Sequence, residues 1–103
     1  MKKAKSRPGN VFEDLGFSPE ESRLLALKAQ LAAIIVSVVQ KRGLSQKQLG
    51  KLWDVPQPRV SEVMTGKLGV ISIDRLVEFL GGLGVEVVVQ AKAIPRGSRR
   101  KAS

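Results

Sequence analysis

Two capping boxes decide where helices in this chain must begin. In Ser18-Pro19-Glu20-Glu21 a hydroxyl stands at the N-cap, a proline at the first helical position and a carboxylate three residues on. The serine oxygen and the glutamate can then each satisfy an otherwise free backbone group at the helix start. Ser45-Gln46-Lys47-Gln48 repeats the device with a glutamine. From the first box, Leu24, Leu27, Leu31, Ile34 or Ile35, and Val38 recur at three- and four-residue spacing, which predicts one long helix ending near Lys41-Arg42-Gly43. Its middle, Ala32 to Val39, is apolar nearly all round, so the helix is expected to be buried on more than one side. The apolar run Leu24 to Val39 is interrupted by Lys28 and Gln30 and falls short of a membrane span.

From the second box, Leu49, Leu52 and Trp53 form the inward face of a short helix. Asp54-Val55-Pro56 turns the chain, and a second short helix over Gln57 to Thr65 points Val60, Val63 and Met64 inward before Gly66 stops it. Ser72 caps a further helix with Ile73, Leu76, Leu80 and Leu83 on one face, weakened and ended by Gly81, Gly82 and Gly84. The β-branched segment Val85-Glu86-Val87-Val88-Val89-Gln90-Ala91 reads as a strand. A lone strand leaves its backbone hydrogen bonds unmade, and the simplest partner is the same strand of a second copy. Leu80, Leu83, Val85, Val87 and Val89 are the expected dimer contacts. The resulting organisation is a basic disordered arm at 1–10, a helical domain at 11–84, a dimerisation strand at 85–91 and a basic disordered tail at 92–103.

Charge supports that division. Lys2, Lys3, Lys5 and Arg7 at one end, with Lys92, Arg96, Arg99, Arg100 and Lys101 at the other, are nine of the eighteen basic residues. All nine acidic residues lie between them, so the body 8–91 is neutral and the net +9 belongs to the two ends. Basic arms of this kind run along phosphate backbones, or simply aid solubility. The chain has neither cysteine nor histidine. Disulfides, Cys/His metal sites, thiol nucleophiles and the commonest general base are thereby excluded. No catalytic residue, metal ligand or cofactor is expected. The acids sit singly or in pairs at helix starts, where they complement the helix dipole. Gly81-Gly82-Leu83-Gly84 follows a helix and precedes a strand, the reverse of a dinucleotide loop. Four aromatics in the whole chain provide no stacking platform for RNA. The basic start is followed by Pro8-Gly9-Asn10 and acids rather than an apolar stretch, so no signal peptide is read, and a cytoplasmic protein is expected.

Leu44 to Gly66 carries the functional information. Two short amphipathic helices joined by a tight turn let the second lie in the major groove of DNA while the first braces across the backbone. Gln57, Pro58, Ser61, Glu62 and Thr65 face outward, with Arg59 at the edge. Glutamine pairs bidentately with adenine, arginine with guanine, and serine can approach either. The base-reading set is therefore Gln57, Pro58, Arg59, Ser61 and Glu62. Ser45, Gln46 and Lys47 at the start of the bracing helix, and Lys67 just past the second, are the expected phosphate contacts.

This segment resembles the helix-turn-helix of the phage-repressor, or XRE, family, whose recurring pattern is S/T-Q-x-x-L-A-x-x-L-G-V-S-Q-P-x-V-S. Ser45-Gln46, Leu49, Val55, Gln57-Pro58 and Val60-Ser61 are in register with it. Gly50 replaces the small alanine, Asp54 the turn glycine and Pro56 the capping serine, which leaves the start of the second helix without its ordinary cap. The resemblance implies a mainly α, five-helix, lambda-repressor-like bundle, here with one C-terminal strand paired across a dimer. It also implies a sequence-specific repressor of double-stranded DNA. The longer layout, N-V-F-E-D-L-G, a long helix, the motif and then S-I-D-R-L-V-E-F-L-G-G-L-G-V-E-V-V-V, resembles members that serve as HigA-type antitoxins. Those bind a RelE/HigB-like ribonuclease toxin and repress their shared promoter. If that implication holds, Val11, Phe12, Glu13 and Leu15 are the expected toxin contact, unless they only cover the domain's own core. A stand-alone XRE-family regulator is the alternative.

Overall fold

Each long helix begins at the residue that can cap it. The computed structural model describes residues 11–94. The helices are α1 Val11–Asp14, α2 Pro19–Arg42, α3 Gln46–Trp53, α4 Gln57–Met64 and α5 Ile73–Gly82, with a 3-10 turn at Leu68–Val70. Ser18 Oγ accepts from the Glu21 amide at 3.1 Å while Glu21 Oε1 accepts from the Ser18 amide at 3.1 Å. Ser45 and Gln48 repeat the exchange at 3.1 and 2.7 Å. Ser72 Oγ accepts from the Arg75 amide at 3.2 Å. α2 ends at Gly43 in the left-handed conformation, φ 63°. Most of the basic arms at 1–10 and 92–103 lies outside the described residues.

The turn between α3 and α4 accounts for two unusual residues. Asp54 is the one non-glycine with positive φ among the described residues, at 58°, a conformation that a short polar side chain tolerates. Gly50 lies under the turn, where its carbonyl accepts from the Val55 amide at 3.0 Å. A methyl group on Gly50 would stand 3.1 Å from the Val55 carbonyl oxygen, closer than ordinary contact. The alanine of the resembling pattern is therefore crowded in this turn. α4 starts at Pro56 with no side-chain cap, as the proline requires.

The core lies between α2 and the layer formed by α3, α4 and α5. Leu31, Ala32, Ile35 and Val39 come from α2, Leu49 from α3, Val60 and Val63 from α4, and Leu76, Phe79 and Leu80 from α5. Ile71 and Leu83 close it from the loops on either side of α5. Side chains also bind elements together at their ends. Arg42 Nη1 donates to the Leu83 carbonyl at 2.6 Å, and Lys28 Nζ to the Leu68 carbonyl at 3.1 Å. Trp53 stacks on Phe79 with centroids 4.3 Å apart and donates Nε1–H to the Phe79 carbonyl at 3.0 Å.

Several expectations need correction. Of the expected stripe, Leu31 and Ile35 are buried and Val38 is half-buried against the core. Leu24, Leu27 and Ile34 are exposed, and Ala32 and Val39 take their place in the buried row. Both rows satisfy helical spacing on adjacent faces of α2, and only the positions of α3 to α5 select between them. Leu52, expected inward, is exposed, because Leu49 and Trp53 already fill the side of α3 that meets the core. With 24 residues and a mean hydropathy of 1.7 over its most apolar stretch, α2 is long and apolar enough to cross a membrane, contrary to the interrupted-run argument. Its packing is with protein: α1, α4, the 3-10 turn and α5 all lie against it.

The C-terminal segment also differs. Residues 85–94 form no strand, because no other described segment offers the backbone donors and acceptors that a ladder needs. Leu80 and Leu83, expected at a subunit interface, are 1% and 3% exposed and belong to the protein's own core. Val85 and Val87 are half-buried against that core, whereas Val88 and Val89 are 82% and 83% exposed. The segment runs beside Leu27 and Ile34 of α2 and Val77 of α5, leaving an open apolar groove between them.

Candidate nucleic-acid interface

The two helices of the motif place its polar residues on two separate flanks. On one flank an open cleft runs between α3 and the start of α4, lined by Gln46, Lys47, Gly50, Lys51, Asp54, Val55, Pro56 and Gln57. Two of the expected phosphate contacts, Gln46 and Lys47, thus share a surface with Gln57, the residue expected to read adenine. Gln57 and Pro58 are fully outward at the first turn of α4, which the uncapped Pro56 leaves open. No side-chain acceptor caps that first turn, so an incoming acceptor such as a phosphate oxygen meets no side-chain competitor there. Lys51 was missed in the sequence; one helical turn after Lys47 it carries a second cation into the same cleft. The i, i+4 spacing was the available signal.

Ser45 plays a more restricted part than expected. Its hydroxyl oxygen already accepts from the Gln48 amide, so only its hydroxyl hydrogen is left for a phosphate. Ser61 is half-buried on α4, and its carbonyl accepts the Thr65 hydroxyl at 2.7 Å. Lys67 is exposed after Gly66, whose left-handed φ of 74° ends the helix and turns the chain toward the 3-10 turn.

The second flank holds Arg59 and Glu62. Arg59 Nη1 stands 3.0 Å from Glu62 Oε1, one helical turn away, and 3.5 Å from the Val70 carbonyl of the 3-10 turn. Both side chains are partly exposed, at 41% and 33%. The expected base-reading set is thus divided: Gln57 lies with Lys47 and Lys51, and Arg59 with Glu62 beside the 3-10 turn.

The position of this face is set from behind by Trp53. The indole spans from the end of α3 to the last turns of α5, where a Cβ on Gly82 would come within 3.0 Å of Trp53 Cδ1. Gly82 is therefore read as space for the indole as well as a helix end.

In the N-terminal segment, Val11, Leu15 and Phe17 are exposed and Phe12 is half-buried. Phe12 and Phe17 meet edge to face with centroids 6.4 Å apart. Glu13, Asp14, Glu20 and Glu21 flank them, without a basic residue between positions 11 and 22. Val11 and Leu15 therefore do not serve the domain's core.

Comparison with known proteins agrees with this geometry. Residues 11–92 match the model of a family described as a helix-turn-helix domain. A Haemophilus influenzae protein described as an uncharacterized HTH-type transcriptional regulator is 33% identical over 75 residues, which is 73% of this chain and 76% of that protein.

Proposed function

The chain belongs to the helix-turn-helix domain family, and from that premise we propose that it is a transcriptional repressor which binds operator DNA in the cytoplasm as a homodimer. The observation that carries this reading is the cleft that joins Gln46, Lys47 and Lys51 to Gln57. Cations along α3 neutralise phosphates without regard to sequence, while the first turn of α4 meets base edges. No chemistry of bond making is involved; regulation follows from occupancy of the site.

The dimer rests on the groove between α2, α5 and the segment 85–90. Leu27, Ile34, Val77, Val88 and Val89 leave apolar surface there that a second copy would cover, and the unpaired backbone of 85–91 would find its ladder. Val85, Val87 and Val89 remain the expected contacts; Leu80 and Leu83 support them from within the core.

Selection from a pool of random DNA duplexes tests the reading. The protein is expected to enrich a palindrome whose half-sites are about one helical turn apart. On that site Gln57→Ala is expected to lose ~1–3 kcal/mol of discrimination at one base pair per half-site. Lys47→Ala is expected to weaken binding to all duplexes alike and to reduce the salt dependence by about one phosphate. Recovery of no preferred sequence would overturn the proposal.

A second reading, an antitoxin, is favoured by the acidic and apolar surface around Val11, Phe12, Glu13 and Leu15. Such a surface suits a basic ribonuclease toxin. The small reading frame beside this gene is expected to arrest growth when expressed alone and to be tolerated with this chain. Phe12→Ala combined with Glu13→Lys is expected to abolish that rescue. Absence of arrest leaves a stand-alone repressor.

A further inference from the structure

We propose that Glu62 is a positioning residue for Arg59 and not itself a reader of bases. The inference rests on the DNA-binding reading above. Glu62 Oε1 has essentially no solvent-accessible surface and accepts no aligned hydrogen bond; its close partner is the Arg59 guanidinium at 3.0 Å. The shielded oxygen is not hydrated and keeps the guanidinium as its neighbour, although both side chains are partly exposed and solvent screens the pair in part. The backbone at Glu62 is fixed. Its carbonyl accepts from the Lys67 amide at 2.9 Å at the end of α4.

The pair restrains one end of the guanidinium only. Nη1 is turned toward Glu62 and toward the Val70 carbonyl at 3.5 Å. Among the described residues no protein hydrogen bond engages Nε or Nη2. Those two nitrogens form the side edge of the guanidinium, which carries the parallel pair of donors that guanine O6 and N7 require. An arginine held by its remote nitrogen presents that edge in one orientation. Released, the same side chain can swing to the nearest phosphate, since a long flexible cation beside a polyanion is drawn to the backbone. Glu62 thereby sets specificity by denying Arg59 to the phosphates. A carboxylate at this position also repels phosphate, so its removal should strengthen sequence-independent binding.

The test uses the full chain, the duplex enriched from the random pool, and variants of that duplex changed at single base pairs. Arg59→Ala identifies the base pair at which discrimination depends on Arg59. At that base pair Glu62→Gln is expected to lose discrimination by roughly 5- to 150-fold, the range of one bidentate pair. Its affinity for random duplexes is expected to rise, and the slope of log affinity against log salt to steepen by about 0.9 as one more phosphate is neutralised. In the double variant, Glu62→Gln is expected to add no further loss at that base pair. A cytosine preference that disappears with Glu62→Gln and persists in Arg59→Ala would make Glu62 a direct reader and overturn the proposal. Unchanged discrimination in Glu62→Gln would overturn it too, while leaving DNA binding by the wild-type chain intact. A wild-type chain that enriches no sequence removes both readings together.

Discussion

Trp53→Ala is expected to lower stability by about 3 kcal/mol, the lower end for loss of a large aromatic because the indole is only half-buried. The side chain has two attachments to α5: the stack on Phe79 and the 3.0 Å hydrogen bond to the Phe79 carbonyl. For a chain of this size the melting midpoint should fall by roughly 10–25 °C. Trp53→Phe separates the two attachments. It retains an aromatic face for Phe79 but has no N–H, and it is expected to cost about 1 kcal/mol for the lost hydrogen bond. The Phe79 carbonyl still accepts from the Leu83 amide at 3.2 Å, so no buried acceptor is orphaned. DNA affinity of Trp53→Ala, measured well below its melting point, is expected to fall as well, since α3 and the cleft it lines lose their brace. Thermal unfolding checks the first effect and duplex titration the second. A midpoint within two or three degrees of wild type, an approximate bound from the same scaling, would show that the clasp contributes little.

Leu80→Ala carries a similarly large effect and discriminates between two places for that residue. Leu80 is enclosed among the core side chains, so its truncation is expected to cost roughly 2–5 kcal/mol through lost burial and the cavity left behind. Because the contacts are within one chain, the loss should be the same in dilute and concentrated protein. Were Leu80 part of a subunit interface, its truncation would weaken association and the defect itself would shrink as protein concentration rises. Denaturant titration at two widely separated concentrations decides the matter.

The helix-turn-helix motif was legible because its signals are short-ranged. The exchange between Ser45 and Gln48, the left-handed Asp54 and the missing cap at Pro56 each involve atoms within one turn of chain. Such contacts form whatever else surrounds them. Lys47 and Gln57 could likewise be assigned to one surface, since a tight turn leaves two short helices little freedom. Arg59 and Glu62 were both legible as outward residues, but their ion pair was not. The i, i+3 spacing permits the pair without requiring it, and the shielding of Glu62 Oε1 comes from the surrounding fold.

By itself, then, the amino-acid sequence determined where the main helices begin and end, the class of fold, and the stretch from Leu44 to Gly66 that forms the helix-turn-helix. The tertiary structure alone decided which apolar row of α2 is buried, that Leu80 and Leu83 are internal, that 85–94 lacks a ladder within the chain, and that Trp53 fastens α3 to α5. The physical reason is range. Caps and turns are governed by neighbours within about four residues, whereas a helix such as α2 presents two apolar rows of equal periodicity. Burial falls on the row that the other helices reach first.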